Sequence, residues 1–473
     1  MPGPWRFILL VAAYMAAHVW LRIASSPTLD LDEAEQIVLS QSLRVGYGTQ
    51  APLFTWLQTL TIRAMGLGVL PIALLKSALL VGIFAAGYAI AARLVRDPGH
   101  RAPAAASLFL LPYLVYQSLR DSSHSIILTL ACALSLWLIL RLADRRDTLG
   151  YVALGICVAA GCLSKYNFAL FLVPAAIATI AVPEFRPVAR DPRLLMAAAI
   201  ALALFAPHGL WLANNFDAAT AESIEKLKPK DFSAFRSLAK LLECLLRFSA
   251  VALTAFTVAS PRIWLRSPAA GIPRPTSRWF AWYFGCGLLG LSSMMIATRA
   301  TDLSERWLLP LLFCLPIALY HRAKALDCAA ERRLAWCIGI AAIAVPIALA
   351  AHVQFGPALH HPLRKNFDFT PIACARETPA APRTIIAQNY FLGGNLKLLY
   401  PNARVFVPGP CAPPGQIAGP TWLVWQSKSS GFRRAATALT GVPWEHLRPQ
   451  TVALPYFHSG GTDAVLISTA TLP

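Results

Sequence analysis

Residues 29–36 read LDLDEAEQ, and they follow directly on an apolar segment that runs from Trp5 to about Ala24. A segment of this length crosses the ~30 Å hydrocarbon core of a bilayer as a helix. Four carboxylates, at positions 30, 32, 33 and 35, are therefore expected just outside a membrane. The rest of the chain is poor in acidic residues and rich in arginine, so we expect this acidic cluster to have a function.

The composition is that of a polytopic helical membrane protein. Of the 473 residues, 56% are hydrophobic and 14% are charged, and the mean hydropathy is +0.54. Apolar runs of spanning length recur along the chain, and the first is interpreted as a retained signal anchor. These runs predict eleven spans, near residues 5–24, 70–92, 103–118, 125–141, 149–164, 168–182, 193–213, 238–260, 279–297, 307–321 and 334–352.

The distribution of basic residues predicts the orientation. With the N-terminus in the cytoplasm, alternate loops should carry an excess of Lys and Arg. Five loops do, at residues 93–101, 141–146, 186–193, 262–278 and 322–333. We therefore predict a multi-pass protein of the bacterial inner membrane whose N-terminus is cytoplasmic. The same loops explain the net charge of +19 without nucleic acid as a partner.

The loop between the first two spans is expected on the periplasmic face and should contain two short helices. The first is predicted over residues 33–45 and the second over residues 52–62, with the turn GYG at residues 46–48 between them. The second helix is amphipathic and carries Trp56, a residue type that favours the membrane interface. Such helices would lie flat on the membrane surface.

The chain changes character after His352. Prolines become frequent, and β-prone runs occur at residues 383–387, 404–407, 421–426 and 464–468, with helices predicted at 394–400 and 432–440. We predict a transmembrane catalytic domain over residues 1–352 and a periplasmic α/β domain over residues 353–473. Cys374 and Cys411 are candidates for a disulfide in that oxidising compartment.

Four polar groups should converge on the periplasmic face if the spans pack as a bundle. A sugar joined to a polyprenyl phosphate has a good leaving group, so its transfer needs a carboxylate to take the acceptor's proton and cations to hold the phosphate. The four groups supply both kinds of residue, and they are Asp32/Glu33, Arg120/Asp121/His124, Lys165/Tyr166/Asn167 and Glu305/Arg306/Trp307.

The carboxylates also have structural interpretations. Asp32 and Glu35 have the spacing of a capping box, so Asp32 could cap the first surface helix. Asp121 could cap the span that follows it. A divalent cation held by Asp32, Glu33 or Asp121 is a further alternative, although the sequence has no tight ligand spacing.

The basic residues and the histidines have structural interpretations too. Lys165 and Arg306 lie at predicted helix ends, where long basic side chains commonly extend toward lipid headgroups. His124 and His208 fit packing positions better than metal sites, because no further ligands are spaced around them.

The motifs resemble those of the GT-C glycosyltransferases. DEAEQ at residues 32–36 and GYGTQAPLFTWLQ at residues 46–58 are similar to the first outer loop of the branch that contains protein O-mannosyltransferases and bacterial lipid A aminoarabinose transferases. The pattern is also similar to that of alpha-proteobacterial transferases that decorate lipopolysaccharide with uronic acid. The resemblance covers roughly residues 5–350, and its later segments are residues 120–124, 164–167, 207–211 and 305–310.

The resemblance implies an inverting transfer from a polyprenyl-phosphate sugar to lipid A, lipopolysaccharide core or another cell-envelope acceptor. It implies that Asp32 is the catalytic carboxylate, that Asp121 shapes the site, and that Lys165 and Arg306 bind the donor phosphate. We add Glu33 to the predicted catalytic group. To the predicted phosphate site we add Arg120 and Tyr166, and to the rest of the pocket His124, Gln50, Asn167, His208 and Glu305.

One departure from the family pattern concerns residues 50–52. Many relatives have Lys-Pro-Pro or Gln-Pro-Pro there, whereas this chain has Gln-Ala-Pro. The phosphate contact implied for that lysine is missing, so Lys165 or Arg306 is expected to replace it.

The competing interpretation is a transporter or flippase of lipid-linked sugars without transferase activity. A transporter places ionisable groups near the bilayer midplane, on broken helices related by internal repeats. The sequence shows no internal repeat, and only Lys76 and Glu243 are expected at depth. A scaffolding subunit would leave the clustered carboxylates unexplained.

Overall fold

The computed structural model describes residues 3–220, 232–261, 274–322, 327–374, 381–409, 417, 419–426, 430–457 and 464–472. Cys411 and the side chain of Cys374 lie outside this description, and the disulfide between them stays a prediction.

The described part is mostly helical and ends in a mixed β-sheet. The helices that precede the sheet, in chain order, are α1 (Pro4–Ser25), α2 (Leu31–Leu39), α3 (Leu53–Met65), α4 (Val69–Leu94), α5 (Arg101–Ala106), α6 (Ser118–Arg120), α7 (His124–Asp144), α8 (Thr148–Ser164), α9 (Ala169–Ala181), α10 (Arg186–Arg190), α11 (Arg193–Asn214), α12 (Ala234–Ala259), α13 (Arg274–Ala297), α14 (Leu309–Leu312), α15 (Leu315–Arg322), α16 (Cys328–Phe355) and α17 (Thr370–Cys374).

In the described residues, seven helices are long and apolar enough to cross a membrane: α1, α4, α7, α11, α12, α13 and α16. An eighth candidate is the pair Pro98–Leu110 and Tyr113–Arg120, which is bent by 70°. Pro112 lies at the bend, and proline is a common cause of such kinks. Three shorter apolar helices complete the set, at Thr148–Ser164, Tyr166–Ala181 and Leu309–Arg322. Each predicted span contains one of these helices, while the number that cross the bilayer stays a prediction.

The helices pack as a bundle with an apolar outer surface. Helix α4 lies between α1 and α7, and α8 packs on both α7 and α11. Large aromatic side chains such as Phe84, Phe171 and Trp279 are fully buried in the core. Large apolar side chains on α11 and α16, including Leu202 and Ile340, are exposed instead. Such a surface suits lipid, and the chain is a multi-pass membrane protein.

Helices α2 and α3 lie at one end of the bundle, called here the α2 end. Helix α2 begins two residues earlier than predicted, and its N-cap is Asp30, whose Oδ1 accepts a hydrogen bond from the backbone N–H of Leu31 at 2.9 Å. The Glu33 side chain in turn accepts from the N–H of Asp30 at 3.1 Å. The capping box is therefore Asp30 with Glu33, and the predicted box of Asp32 with Glu35 is wrong. Asp32 does not cap the helix.

The C-terminal sheet has five strands in the order β2-β1-β3-β5-β4. Strand β1 is parallel to β2 and β3, whereas β5 is antiparallel to β3 and β4. The sequence predicted every strand except β4. This strand lies at the edge of the sheet, pairs only with β5 and ends at a proline. The strands are β1 (Thr384–Ala387), β2 (Arg404–Phe406), β3 (Thr421–Trp425), β4 (Gln450–Pro455) and β5 (Ala464–Leu472), and the helices among them are α18 (Tyr390–Leu399) and α19 (Ser430–Thr440).

Helix α18 joins the sheet to the α2 end. The Asn395 Oδ1 accepts a hydrogen bond from the backbone N–H of Leu29 at 2.8 Å, and the Asn395 side chain is buried. One residue earlier, Gly394 lies directly against the backbone of Ala34 in α2. A Cβ at Gly394 would overlap that backbone. The absence of a side chain therefore sets how closely the two helices approach.

Gly394→Ala is expected to lower the melting temperature, although alanine is the better helix former by roughly 1 kcal/mol. The added Cβ would push α18 away from Ala34, because backbone atoms cannot rotate aside. Gly285→Ala is the matched control, since Gly285 is a helical glycine with open space around it. A scanning fluorimetry experiment in detergent that finds equal melting temperatures for the two variants would contradict the close contact.

Candidate active site

Two carboxylates meet where α2 approaches the start of α7. The backbone N–H of Asp32, in the first turn of α2, donates to Asp121 Oδ1 at 2.9 Å. Helix α7 begins at His124, and its N-cap position is Ser123, with no side-chain cap. The prediction that Asp121 caps this helix is therefore wrong. Asp121 instead holds the start of α2 and lies beside Asp32.

The two carboxylates differ in their electrostatic surroundings. Burial raises the pKa of Asp32, and the positive charges of Arg306, Lys165 and Lys76 oppose that rise. Burial and the neighbouring charges of Asp32 and Asp30 raise the pKa of Asp121 to about 7. Burial therefore raises the pKa of both carboxyls, nearby cations oppose that rise at Asp32, and Asp121 is partly protonated near neutral pH.

Two basic residues near Asp32 lie in short connections between helices. Lys165 lies in extended backbone at the end of α8, and its Nζ donates to Ser125 Oγ at 3.0 Å. Arg306 lies in a short 3-10 helix, Glu305–Trp307, and its Nε donates to Ser304 Oγ at 3.3 Å. The positive charges of both residues lower the pKa of Asp32. The structure thus brings together Asp32, Asp121, Lys165 and Arg306, the four residues to which the family resemblance assigns roles.

His124 holds helices together around this group. Its Nε2 lies 3.0 Å from Gln36 Nε2, and the Oε1 of Gln36 accepts a hydrogen bond from Thr55 Oγ1 at 2.9 Å. The ring also packs on Phe54 and is buried. His124 therefore links α7 to α2 and α3, as its structural interpretation predicts.

His208 and Tyr166 link α11 to the loop after α2. The Nδ1 of His208 is 2.7 Å from the Val45 carbonyl oxygen, and its Nε2 is 3.4 Å from the Tyr166 hydroxyl. The imidazole stacks between Tyr166 and Trp211. Gly46 lies under the Trp211 ring with no room for a Cβ, which explains the glycine at this turn.

The remaining predicted pocket residues have other partners. Gln50 Nε2 lies 3.3 Å from a carboxylate oxygen of Glu35, and Asn167 is in the 3-10 helix Tyr166–Phe168 next to Lys165. Glu305 is 3.8 Å from Arg247 of α12. In the part of the chain that the structure describes, no three His, Cys, Asp or Glu side chains are grouped as metal ligands.

Glu33 is at the centre of an ion cluster. Its carboxylate oxygens lie 2.7 Å from Arg22, 3.4 Å from Lys76 and 3.5 Å from Lys365, and the side chain is 2% exposed. Burial alone would raise the pKa of Glu33, but Arg22, Lys365 and Lys76 hold it well below the usual range. A carboxylate so strongly held is a poor base, so the geometry does not support the predicted catalytic role of Glu33.

Two cations of this cluster, Arg22 and Lys365, were not predicted from the sequence. Arg22 gave a weak signal, because it is a lone charge in the last turn of an apolar helix just before the acidic stretch. Lys365 gave none, because it lies hundreds of residues away in a 3-10 turn, Arg364–Asn366.

Asp121→Asn is expected to stabilise the protein at pH 8. A pKa raised in the folded state means that stability falls as pH rises from about 4, the unfolded value, to about 7. Asparagine removes the charge and keeps the acceptor for the Asp32 N–H, which should gain roughly 1–3 kcal/mol at pH 8 and less at pH 5. Melting temperatures at the two pH values check this. A difference that does not depend on pH would contradict it.

Comparison with known proteins identifies the family. A family described as dolichyl-phosphate-mannose-protein mannosyltransferase matches residues 49–211. The lipopolysaccharide core galacturonosyltransferase RgtA of Rhizobium johnstonii is 30% identical over 471 residues, which cover 95% of this chain and 93% of that protein. The chain belongs to the GT-C glycosyltransferases.

Two further comparisons agree with this family. The lipopolysaccharide core galacturonosyltransferase RgtB of Rhizobium johnstonii is 30% identical, over 97% of this chain and 95% of its own length. Among solved structures, ArnT from Cupriavidus metallidurans bound to undecaprenyl phosphate superposes with a TM-score of 0.61 at 12% identity, covering 98% of this chain and 97% of ArnT. ArnT therefore shares the fold. The chain is a membrane glycosyltransferase, and the transporter alternative is wrong.

Proposed function

We propose that this GT-C glycosyltransferase moves galacturonic acid from a polyprenyl-phosphate donor to the lipopolysaccharide core. Two relatives that match nearly the whole chain are named as enzymes that act on this acceptor with this sugar. A protein of the same fold is known bound to undecaprenyl phosphate, which supports the donor class. The observation that carries the reaction is the carboxylate pair of Asp32 and Asp121 with Lys165 and Arg306 beside it.

The reaction is a single displacement at the anomeric carbon. An acceptor hydroxyl oxygen forms the new bond, its proton passes to Asp32, and the bond between the anomeric carbon and the phosphate oxygen breaks. The leaving polyprenyl phosphate carries the electron pair of that bond, so no general acid is needed. One displacement inverts the anomeric configuration.

The basic side chains act on the leaving group. Negative charge grows on the phosphate as its bond to the sugar breaks, and Lys165 and Arg306 stabilise that charge. They also favour the ionised, proton-accepting form of Asp32. Tyr166, which follows Lys165, is assigned to the same phosphate site. Asp121 orients Asp32 through the backbone hydrogen bond.

The same proposal includes the membrane arrangement. We place eleven spans in the bacterial inner membrane, with the N-terminus in the cytoplasm and the α2 end on the periplasmic face, because the basic loops lie at the opposite end. Residues 1–352 then form the catalytic domain, and residues 353–473 form a periplasmic domain that contacts α2 through α18.

Purified enzyme in nanodiscs tests the proposal. It is incubated with lipopolysaccharide core acceptor and, in parallel, with polyprenyl-phosphate galacturonic acid, aminoarabinose or mannose. We expect mass spectrometry to show one added uronic acid residue only with the first donor. The inactive Asp32→Asn variant controls for transfer by contaminating enzymes. A product only with a neutral or amino sugar, or with another acceptor, would contradict the proposal.

A further inference from the structure

A second cationic group faces α2, next to the first. Asp32 and Glu33 are successive residues, so their side chains leave the helix about 100° apart. The charges of Arg306, Lys165 and Lys76 lower the pKa of Asp32, whereas Glu33 contacts Arg22, Lys76 and Lys365, so only Lys76 acts on both carboxylates. Two neighbouring faces of α2 therefore meet two sites for negative charge, and the proposed reaction uses only one of them.

Glu33 borders a cavity of about 70 Å³ between α1, α4 and α16. A water molecule needs roughly 10–15 Å³ by this measure, so the cavity has room for several waters or one phosphate-sized group. Its titratable lining is basic apart from Glu33 and consists of Arg22, Lys76, Arg120, Lys365 and His18, and the hydroxyls of Ser25 and Ser77 complete the polar lining. Arg120, predicted beside Lys165 and Arg306, lines this cavity.

The cavity has more positive charge than its own carboxylate balances. Four basic side chains line it against one carboxylate, an excess of three positive charges in the lining, of which the neighbouring carboxylates of Asp30 and Asp32 offset part. Lys76, Lys365 and Glu33 are each less than 5% exposed, so water compensates little of that charge. Uncompensated buried charge is costly, and a bound anion would remove most of the cost.

Two buried nitrogen atoms in the cavity lining have no hydrogen-bond partner. They are Arg120 Nε and His18 Nε2, in the described part of the chain. His18 is 5% exposed. Buried polar atoms are nearly always hydrogen-bonded, and an orphaned donor in a basic cavity indicates an acceptor-rich ligand.

The remaining lining is apolar. Val19 of α1 and Leu349 and Val353 of α16 face the cavity, while the outer sides of these two helices carry exposed apolar side chains. An anion that reaches this cavity between membrane helices is therefore expected to be carried on a lipid, whose hydrocarbon contacts these residues.

We propose that this cavity binds an anionic group, a phosphate or a carboxylate, of the lipid-borne acceptor. This inference rests on the proposed function. The donor phosphate then lies beside Asp32 and the acceptor anion lies beside Glu33, each held by the cations that face that part of α2. This arrangement brings the acceptor hydroxyl to Asp32, the base. Glu33 holds Arg22, Lys76 and Lys365 in place, and Arg120 supplies the unpaired donor.

Arg120→Gln tests the proposal, with Arg364→Gln as a matched control. Arg364 is next to Lys365 but its side chain is 49% exposed. We expect Arg120→Gln without ligand to melt no lower than wild type, because it removes one of the repelling charges. Its KM for acceptor should rise about ten- to hundredfold, the usual effect of losing one charged hydrogen bond, with donor KM unchanged. Arg364→Gln should match wild type.

Arg120→Lys is the conservative variant, which keeps the charge and should recover part of the acceptor affinity. If Arg120→Gln does not fold, the KM values of Arg120→Lys for acceptor and donor serve as the test. A rise in donor KM in place of acceptor KM, or a lower melting temperature with an unchanged acceptor KM, would overturn the assignment.

A binding assay without any sugar donor separates this inference from the proposed function. Native mass spectrometry compares wild type and Arg120→Gln with inorganic phosphate, lipopolysaccharide core lipid, its dephosphorylated form and phosphatidylglycerol. We expect the core lipid to bind wild type at least tenfold more tightly than the variant, whether or not transfer of galacturonic acid is observed. Equal binding of phosphatidylglycerol, or of the core lipid to both proteins, would overturn the acceptor site.

Discussion

Asp32→Asn is expected to lower kcat by about a thousandfold, the usual contribution of a positioned general base. Asparagine has nearly the same shape but cannot take the acceptor's proton. The fold should persist, because Asp30 caps α2 and the hydrogen bond to Asp121 uses the backbone N–H of Asp32. The KM for donor should stay the same or fall, since the change removes a negative charge near Lys165 and Arg306.

Glu35→Gln is the control, because Glu35 lies in the same helix and its side chain meets Gln50. We expect this variant to keep activity within about threefold of wild type. The two variants are compared by their turnover at saturating donor and by their melting temperatures. Near-normal turnover in Asp32→Asn would remove Asp32 from the reaction.

Lys165→Ala is expected to reduce kcat/KM for donor about a hundredfold, with the KM for acceptor unchanged. The ammonium stabilises charge that develops on the leaving phosphate, and loss of one such group typically costs 10²–10³ in rate. Lys165→Arg keeps the charge and should recover part of the activity. If Lys165 only extends to lipid headgroups, the dependence on donor concentration will not change.

The pH profile supplies a second measurement on the same variant. The charge of Lys165 lowers the pKa of Asp32, so its removal raises that pKa further. The pH at which activity rises should therefore move upward in Lys165→Ala. An unchanged profile would show that Lys165 does not act on the base.

The sequence predicted the apolar helices and the position of the acidic loop, but it could not choose the start of α2. Residues 29–36 contain two acid pairs three residues apart, Asp30 with Glu33 and Asp32 with Glu35, and both fit a capping box. The structure uses the first pair, since Asn395 fixes the backbone of Leu29 just before it. A contact across 366 residues thus decides a local ambiguity.

Distance along the chain also separates what could be predicted about the site from what could not. Asp32, Asp121, Lys165 and Arg306 lie in motifs at the ends of predicted helices, and the bundle brings such ends together. The ion cluster of Glu33 was not predicted, because Lys365 reaches it from a turn with no pattern of its own. The role assigned to Glu33 from its neighbour's motif changed once its three cations were known.

The contact between Leu29 and Asn395 has a consequence for synthesis of the enzyme. At about 5–20 residues per second, a ribosome needs roughly 20–70 s to make the chain between these two residues. For most of that interval the nascent protein has the acidic loop but neither Lys365 nor Asn395 to fix it, and Asn395 is missing until the end. We expect a chain truncated before these residues to insert into the bilayer but to be inactive toward its donor. The enzyme therefore becomes active only near the end of translation.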